Sequence, residues 1–404
     1  MNHTKPLSIF PASAERLDSV QEYYFSAKLR EIAQMNEDGG DPVINLGIGS
    51  PDLPPDPSVI QALQEASLQP EIHRYQSYRG IPELREAFAH WYARWWDVEL
   101  DPRSELLPLI GSKEGIMHIA MAFLQPGLKA LVPNPGYPAY RAASLLAGAE
   151  VVPYALEEEK GWLPDLEKLE KQDLSGVQIM WLSYPNMPTG ADAHPAFFEE
   201  LVAFASRNEI LLVNDNPYGF ILREKPLSIL RIPGAKSVAL ELNSLSKSHN
   251  LAGWRVGVLS GAAPRLETVL RFKSNMDSGM FKAIQLAAVQ ALRLGSDWYL
   301  SLNETYRERQ AAIHSLLDSL GCSYDPGAGG MFVWARSPQR NGFAISDEVL
   351  YGSRVFLTPG GIFGDQGEAF IRLSLCQPLE VIEAARQRME RMGIMKTNSK
   401  QQAE

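Results

Sequence analysis

The sequence predicts a two-part α/β protein: a larger unit on a mainly parallel sheet sandwiched by helices, followed by a smaller α+β unit. Three observations predict it. Between residues 129 and 242, short apolar runs of strand length alternate with helical stretches, the pattern of parallel strands buried on both faces. Beyond about residue 290 that rhythm breaks into one long helical pattern followed by short strands and helices. The length, 404 residues, also exceeds what one hydrophobic core usually fills.

In chain order, residues 18–35 carry Tyr24, Ala27, Leu29, Ile32 and Ala33 at helical spacing. An extended stretch at 43–47 leads into a Pro-rich turn, Pro-Asp-Leu-Pro-Pro-Asp-Pro (51–57). Pro82 opens a helix to about Trp96, and Ile116, Ile119, Ala120, Phe123 and Leu124 give a one-sided helix over 113–124. Strand-length runs follow at 129–132, 149–153, 178–183, 209–213 and 237–242, with a helical stretch at 195–206. The second unit reads as a helix over 297–319, a Gly-rich strand at 329–335 and a helix at 344–351. Strands at 354–358 and 369–375 and a last helix to about Arg391 complete it. The expected divisions are an N-terminal segment, 1–48, packing with the small domain; a large cofactor-binding domain, 49–290; and a small domain, 291–404. A polar tail begins near Lys396.

Composition narrows the partners. With 38 basic against 48 acidic side chains the net charge is −10, and the basic residues form no tract, which argues against nucleic acid or anionic membrane. Two cysteines, Cys322 and Cys376, suit a reducing compartment. The first eighteen residues lack the apolar core of a signal peptide, and no run approaches the roughly 20 apolar residues that span a bilayer. The expectation is a cytoplasmic protein.

The chemistry gathers where strands end. The run at 209–214 ends at Asp215, followed by Asn-Pro-Tyr with Tyr218; the run at 237–243 leads through Ser244 to Lys247, and Arg255 lies eight residues further. In open α/β sheets ligands bind outside the carboxyl ends of strands. Singly, an acid, a lysine and an arginine are most often surface charges. Together they read differently. Gly-Trp-Arg-Val-Gly (253–257) is apolar enough to predict a buried guanidinium that needs an anion, and a planar fork suits phosphate. Gly-Ser-Lys (111–113) opens the helix over 113–124, where backbone N–H groups form a phosphate site. A phosphate, an imine-forming lysine and a buried acid for a pyridinium nitrogen describe pyridoxal 5′-phosphate (PLP).

The stretch Ser-Leu-Ser-Lys-Ser-His-Asn-Leu-Ala-Gly-Trp-Arg-Val-Gly (244–257) resembles the lysine motif of the class I/II, fold-type I PLP-dependent aminotransferases. Leu-Gly-Ile-Gly-Ser-Pro-Asp (46–52), Tyr-Gln-Ser-Tyr-Arg-Gly (75–80), Pro-Thr-Gly (188–190), Asp-Asn-Pro-Tyr (215–218) and the segment 359–374 are similar to further family motifs in the same order. The likeness spans about residues 20–392. It implies amino transfer from an L-amino acid to a 2-oxo acid, 2-oxoglutarate by analogy. Lys247 would hold the cofactor as an imine and move the proton between Cα and the cofactor's C4′. By the same resemblance, Asp215 pairs with the pyridine nitrogen, Tyr218 bonds the phenolic oxygen and Tyr137 stacks on the ring. Gly111, Ser112 and Lys113, through backbone N–H groups, hold the phosphate with Ser244 and Arg255. Tyr75 reaches the phosphate of the neighbouring subunit, which implies a homodimer with shared sites; Arg372 grips the substrate α-carboxylate, and Gly49 lines the same pocket.

One position departs from the family. Where an asparagine usually precedes Pro-Thr-Gly, this chain has Met187, which donates no hydrogen bond. Either Tyr218 serves the phenolic oxygen alone or Asn186, one residue earlier, takes over. A β-eliminating C–S lyase of the same fold shares nearly every residue named, and a non-catalytic PLP-binding homologue is a further alternative. Segment 274–282 holds no arginine, which argues against a dedicated aspartate enzyme; Tyr23, Tyr24 and Ile48 are candidates for a large or apolar side-chain pocket. The loops at 111–115 and 135–140 are also similar to those of the LL-diaminopimelate aminotransferase branch. No zinc-type or dinucleotide motif stands against this reading, and no metal site is expected.

Overall fold

The computed structural model describes residues 13–337, 341–391 and 393, so the first twelve residues and the polar tail lie outside it. Its strands are β1 (Ile44–Asn45), β2 (Leu106–Leu109), β3 (Lys129–Asn134), β4 (Glu150–Ala155), β5 (Val177–Leu182), β6 (Leu211–Asp215), β7 (Ala239–Ser244), β8 (Gly257–Gly261), β9 (Ser323–Tyr324), β10 (Phe332–Arg336), β11 (Val355–Phe356), β12 (Thr358–Pro359) and β13 (Phe370–Ser374).

Seven of them form one sheet in the order β2-β8-β7-β6-β5-β3-β4. Strands β3 to β7 pair in parallel, and β8 runs antiparallel to both neighbours. The period-two geometry of a strand divides each run between two cores. Met180, Leu182 and Leu212 pack on one face with Phe198, Leu201 and Phe204 of the helix Pro195–Asn208. Ile179, Trp181, Leu211 and Val213 pack on the other with Ile116 and Ile119 of the helix Ser112–Phe123. Every residue of β6 and β7 is therefore buried: Leu211, Leu212, Val213, Ala239, Leu240 and Leu242 give the apolar runs, and Asn214, Asp215, Glu241, Asn243 and Ser244 are buried polar residues among them.

A second, four-stranded sheet, β12-β13-β10-β9, is antiparallel and packs with the long helix Ser296–Ser319 and the helix Gly342–Ser353, on both of which the last helix Leu379–Arg391 packs. Strand β1 pairs in parallel with β11, and Ser374 N–H donates to the Leu46 carbonyl, so segment 44–46 is tied to the C-terminal part of the chain.

Three sequence expectations shift. The helix expected over 18–35 is Tyr24–Glu37, preceded by a short 3-10 turn at Glu15–Ser19. The Gly-rich strand begins only at Phe332, because Gly330 takes φ +80° in a turn against the Ile221 carbonyl. The strand expected at 354–358 is two short pieces on either side of Leu357, one in each minor sheet.

Candidate active site

The carboxyl ends of β6 and β7, the start of the helix Ser112–Phe123 and the segment 47–49 open onto one cavity of roughly 670 Å³. Of the residues singled out in the sequence, Gly49, Ser112, Lys113, Tyr137, Asp215, Tyr218, Ser244, Lys247, Arg255 and Arg372 line it. Gly111 stands at its edge as the residue that caps the helix, with φ +86°. A Cβ there would lie 2.2 Å from Arg255 Nη2, so the guanidinium packs close on the peptide, and the positive φ favours glycine at this position.

Lys247 follows directly on β7, and its Nζ donates to the Gly49 carbonyl at 2.8 Å. Burial pulls this amine below its ordinary pKa; Arg372 and Arg255 push the same way, and Cys376 opposes them. Asp215, the last residue of β6, is buried and accepts from Tyr140 Oη on Oδ2 at 2.9 Å, while Oδ1 has no hydrogen-bond partner. Burial pushes its carboxyl up to about 7, with Glu241 adding and Tyr140 opposing. Arg372, on β13, is buried beneath Phe332, whose ring centroid lies 3.8 Å from the guanidinium carbon; Phe363 and Phe25 stand at 4.8 and 5.4 Å. Its Nη2 donates to the Gly47 carbonyl, its Nη1 to Met187 Sδ at 3.2 Å, and Nε is unpartnered. Burial lowers it to about 10.

Three expectations meet corrections or a different setting. Asn186 does not reach the cavity: its Oδ1 accepts from Thr189 N and Thr189 Oγ1, holding its own turn, and Met187 lines the wall instead. Arg255 is exposed to the cleft rather than buried, because it occupies a left-handed position (φ +58°) at the rim and bonds the Ala252 carbonyl. Tyr75 is 91% exposed and lies away from this cavity. The sequence reading also passed over Ser246, Tyr140, Phe25, Leu29, Ser183 and Phe332, all of which line it. For Ser246 the signal was present in Ser-Leu-Ser-Lys; Tyr140 ends the loop at 135–140, Pro-Gly-Tyr-Pro-Ala-Tyr, in which only Tyr137 had a role attached.

Among the described residues Glu114, His118 and Asp277 bring ligand atoms within 4.8 Å of one another, but the buried Lys273 ammonium sits 2.8 Å from Asp277 and already supplies the cation.

The donor set fits PLP on its own chemistry. An amine at the strand end, an orphaned oxygen on a buried aspartate, and a helix N-terminus whose capping glycine admits a guanidinium at contact distance provide for aldehyde, ring nitrogen and phosphate.

The family model for aminotransferase class I and II matches residues 41–389. The LL-diaminopimelate aminotransferase of Dehalococcoides mccartyi is 41% identical over 374 residues, 92% of this chain and 96% of that protein. That of Aquifex aeolicus is 37% identical over 386 residues, 94% and 99%. Among solved structures, substrate-bound BacF of Bacillus subtilis superposes with a TM-score of 0.91 at 35% identity, covering 96% of this chain and all of that one. A probable N-succinyldiaminopimelate aminotransferase from Thermus thermophilus gives 0.84 at 33% identity, covering 91% and 99%. With the lysine, acid and arginines gathered in one cleft, these likenesses fix the family: the chain belongs to the class I and II aminotransferases and is a PLP-dependent enzyme that transfers amino groups to 2-oxo acids.

Proposed function

We propose that the amino donor is an L-amino acid whose long side chain ends in a second anionic group, LL-diaminopimelate among them, with 2-oxoglutarate as an acceptor. The observation that carries this reading is Lys113. It lines the cavity mouth with its ammonium 4.4 Å from the centre of the Tyr23 ring, and no carboxylate pairs with it among the described residues. Between it and Arg372 the wall is largely apolar, with Tyr23, Phe25, Leu29, Ile48 and Phe332. A donor with its α-carboxylate on Arg372 would lay methylenes along that wall and a distal carboxylate on Lys113. The names of the relatives agree with this. The same aromatic wall favours a second reading, a donor with a bulky apolar side chain.

When bound, PLP supplies the electron sink that weakens the bonds at the donor's Cα. In this reading Lys247 moves the proton at Cα, and its lowered pKa keeps more of the amine neutral and basic near neutral pH. Asp215 holds the ring-nitrogen proton through its free Oδ1. Tyr218 alone donates to the phenolic oxygen, since Met187 has no proton to offer and Asn186 is turned into its own turn. Ser112, Ser244 and Arg255 hold the phosphate, Tyr137 covers the ring, and the phenylalanines around Arg372 keep water from the carboxylate contact.

Single amino acids, mixed with holoenzyme without an oxo acid, test the donor through the change in cofactor absorbance. LL-diaminopimelate is expected to outrun phenylalanine, and Lys113→Met to slow it about 10-fold or more, as for a hydrogen bond to a charged group, while sparing phenylalanine. Phenylalanine outrunning LL-diaminopimelate, with neither slowed in Lys113→Met, would leave the second reading, and equal loss on both donors would remove Lys113 from donor recognition.

The homodimer belongs to the same proposal. Tyr75, Leu68 (84% exposed), Met276 (61%) and Phe281 lie on segments 68–81 and 274–281, which touch through the stacked His73 and Phe281 rings. Exposed apolar side chains grouped in this way suit a second copy of the chain, across which Tyr75 reaches the other cavity. Neither Tyr75→Ala nor Lys247→Ala homodimers should transaminate well. Refolding them together is expected to restore activity, because one site of the mixed dimer then has both residues. No recovery would place Tyr75 outside the site. No helix among the described residues is long and apolar enough to cross a membrane, and both cysteines are free and buried, which supports a cytoplasmic location.

A further inference from the structure

We infer that Tyr140 is a positioning residue: its hydroxyl holds Asp215 as a carboxylate with Oδ1 turned to the cofactor's ring nitrogen. The inference rests on the proposed pairing of Asp215 with that nitrogen.

The geometry is fixed from several sides. Tyr140 lies on the helix Pro138–Leu146 and is 1% exposed; its Oη donates to Asp215 Oδ2 at 2.9 Å. Its ring is stacked on Trp181 of β5, with centroids 5.3 Å apart and an angle of 7°, and meets Tyr137 edge-on at 5.6 Å. Trp181 is itself pinned: Nε1 donates to Ser144 Oγ at 3.1 Å, and Ser144 Oγ donates back to the Tyr140 carbonyl at 2.8 Å. The phenol has little freedom to turn away. With Oδ2 engaged, the remaining lone pairs on Oδ1 are the ones left for the ring nitrogen.

The surroundings show why such a donor matters. Glu241 on β7 is fully buried, and its charge disfavours a second carboxylate nearby. Tyr137 and Tyr218, the other titratable groups facing Asp215, are both held neutral by burial and give it no positive charge. Burial and Glu241 thus work to protonate Asp215, and Tyr140 opposes them. A protonated Asp215 offers the ring nitrogen no charge to pair with.

The test uses cofactor-free enzyme and two ligands that form no bond to Lys247, pyridoxamine 5′-phosphate and its 1-deaza analogue, in which carbon replaces the ring nitrogen. Binding is read by quenching of tryptophan fluorescence. Tyr140→Phe, which keeps the ring stack, is expected to weaken pyridoxamine 5′-phosphate about 10-fold and leave the analogue unchanged. Infrared titration, with Asp215→Asn as reference, should show the carboxyl losing its proton about one pH unit higher in Tyr140→Phe. Equal weakening of both ligands, or an unmoved titration, would reduce Tyr140 to packing. If the unaltered enzyme itself binds both ligands equally, the pairing of Asp215 with the ring nitrogen is wrong, and the role of Tyr140 falls with it.

Discussion

Lys247→Ala is expected to slow the reaction of the loaded enzyme with an L-amino acid by about 10²–10⁴-fold, the range general acid–base catalysis contributes. It should also remove the visible band of lysine-bound cofactor. The affinity for pyridoxamine 5′-phosphate should stay within about 3-fold, because Ser112, Arg255 and Asp215 lie on other elements and, with Ser244, are worth several hydrogen bonds on their own. The reason for so large a loss is positional. Lys247 lies three residues beyond β7, and its amine is held 2.8 Å from the Gly49 carbonyl, on the segment that also carries the Arg372 contact at Gly47. Its neighbour Arg372 is a cation that cannot accept a proton near neutral pH. Single-turnover absorbance, with cofactor and donor premixed, decides it. A variant that keeps the band and more than about a tenth of the rate would remove Lys247 from proton transfer.

Much of the large sheet could be read in the sequence because buried parallel strands are rich in apolar residues, even where a polar one such as Glu241 on β7 is buried among them. β6 and β7 are buried throughout, and their ends at Asp215 and Ser244 mark the rim without any knowledge of packing. The edges were less legible. β2 and β8 pair antiparallel at one side of the sheet, and their short runs, Leu-Leu-Pro-Leu and Gly-Val-Leu-Ser-Gly, give no periodic signal of their own. β1 is two residues long and finds its partner in Val355 and Phe356, a pairing that no local pattern can announce.

The site divides in the same way. Residues fixed by the backbone at strand ends or at a helix start, such as Lys247, Asp215 and Ser112, could be placed from sequence position. Residues whose part depends on where a side chain points could not. Asn186 sits beside Met187 in the chain, yet one bonds Thr189 and the other touches Arg372. Gly-Trp-Arg-Val-Gly reads as buried, but a left-handed φ at Arg255 swings that one side chain out to the cleft. Phe25, Phe332 and Phe363 come from three distant segments to enclose one guanidinium, and each reads in the sequence as ordinary core.

Asp215→Asn is expected to move activity and stability in opposite directions. Replacing a carboxylate by an amide leaves the ring nitrogen without a charged partner, and the amino-transfer rate should fall about 10²–10³-fold, as for removal of one preorganised electrostatic group. The fold, in contrast, should gain. An aspartate titrates near 4 in the unfolded chain, but in the folded, cofactor-free enzyme burial pushes the Asp215 carboxyl up to about 7. Between those values the folded state binds the extra proton, so raising the pH draws that proton off and weakens folding; the penalty is absent below pH 4 and complete above pH 7. Asparagine carries no such penalty and still presents an oxygen for Tyr140 Oη to donate to. Cofactor-free Asp215→Asn should therefore melt roughly 3 °C or more above the unaltered enzyme at pH 8 and match it near pH 4. Calorimetry across that range decides the matter, and a melting difference that does not change with pH would mean the carboxyl is not strained. If the difference appears, the site holds its charge against the preference of the fold, and cofactor binding should narrow it by supplying the missing positive partner.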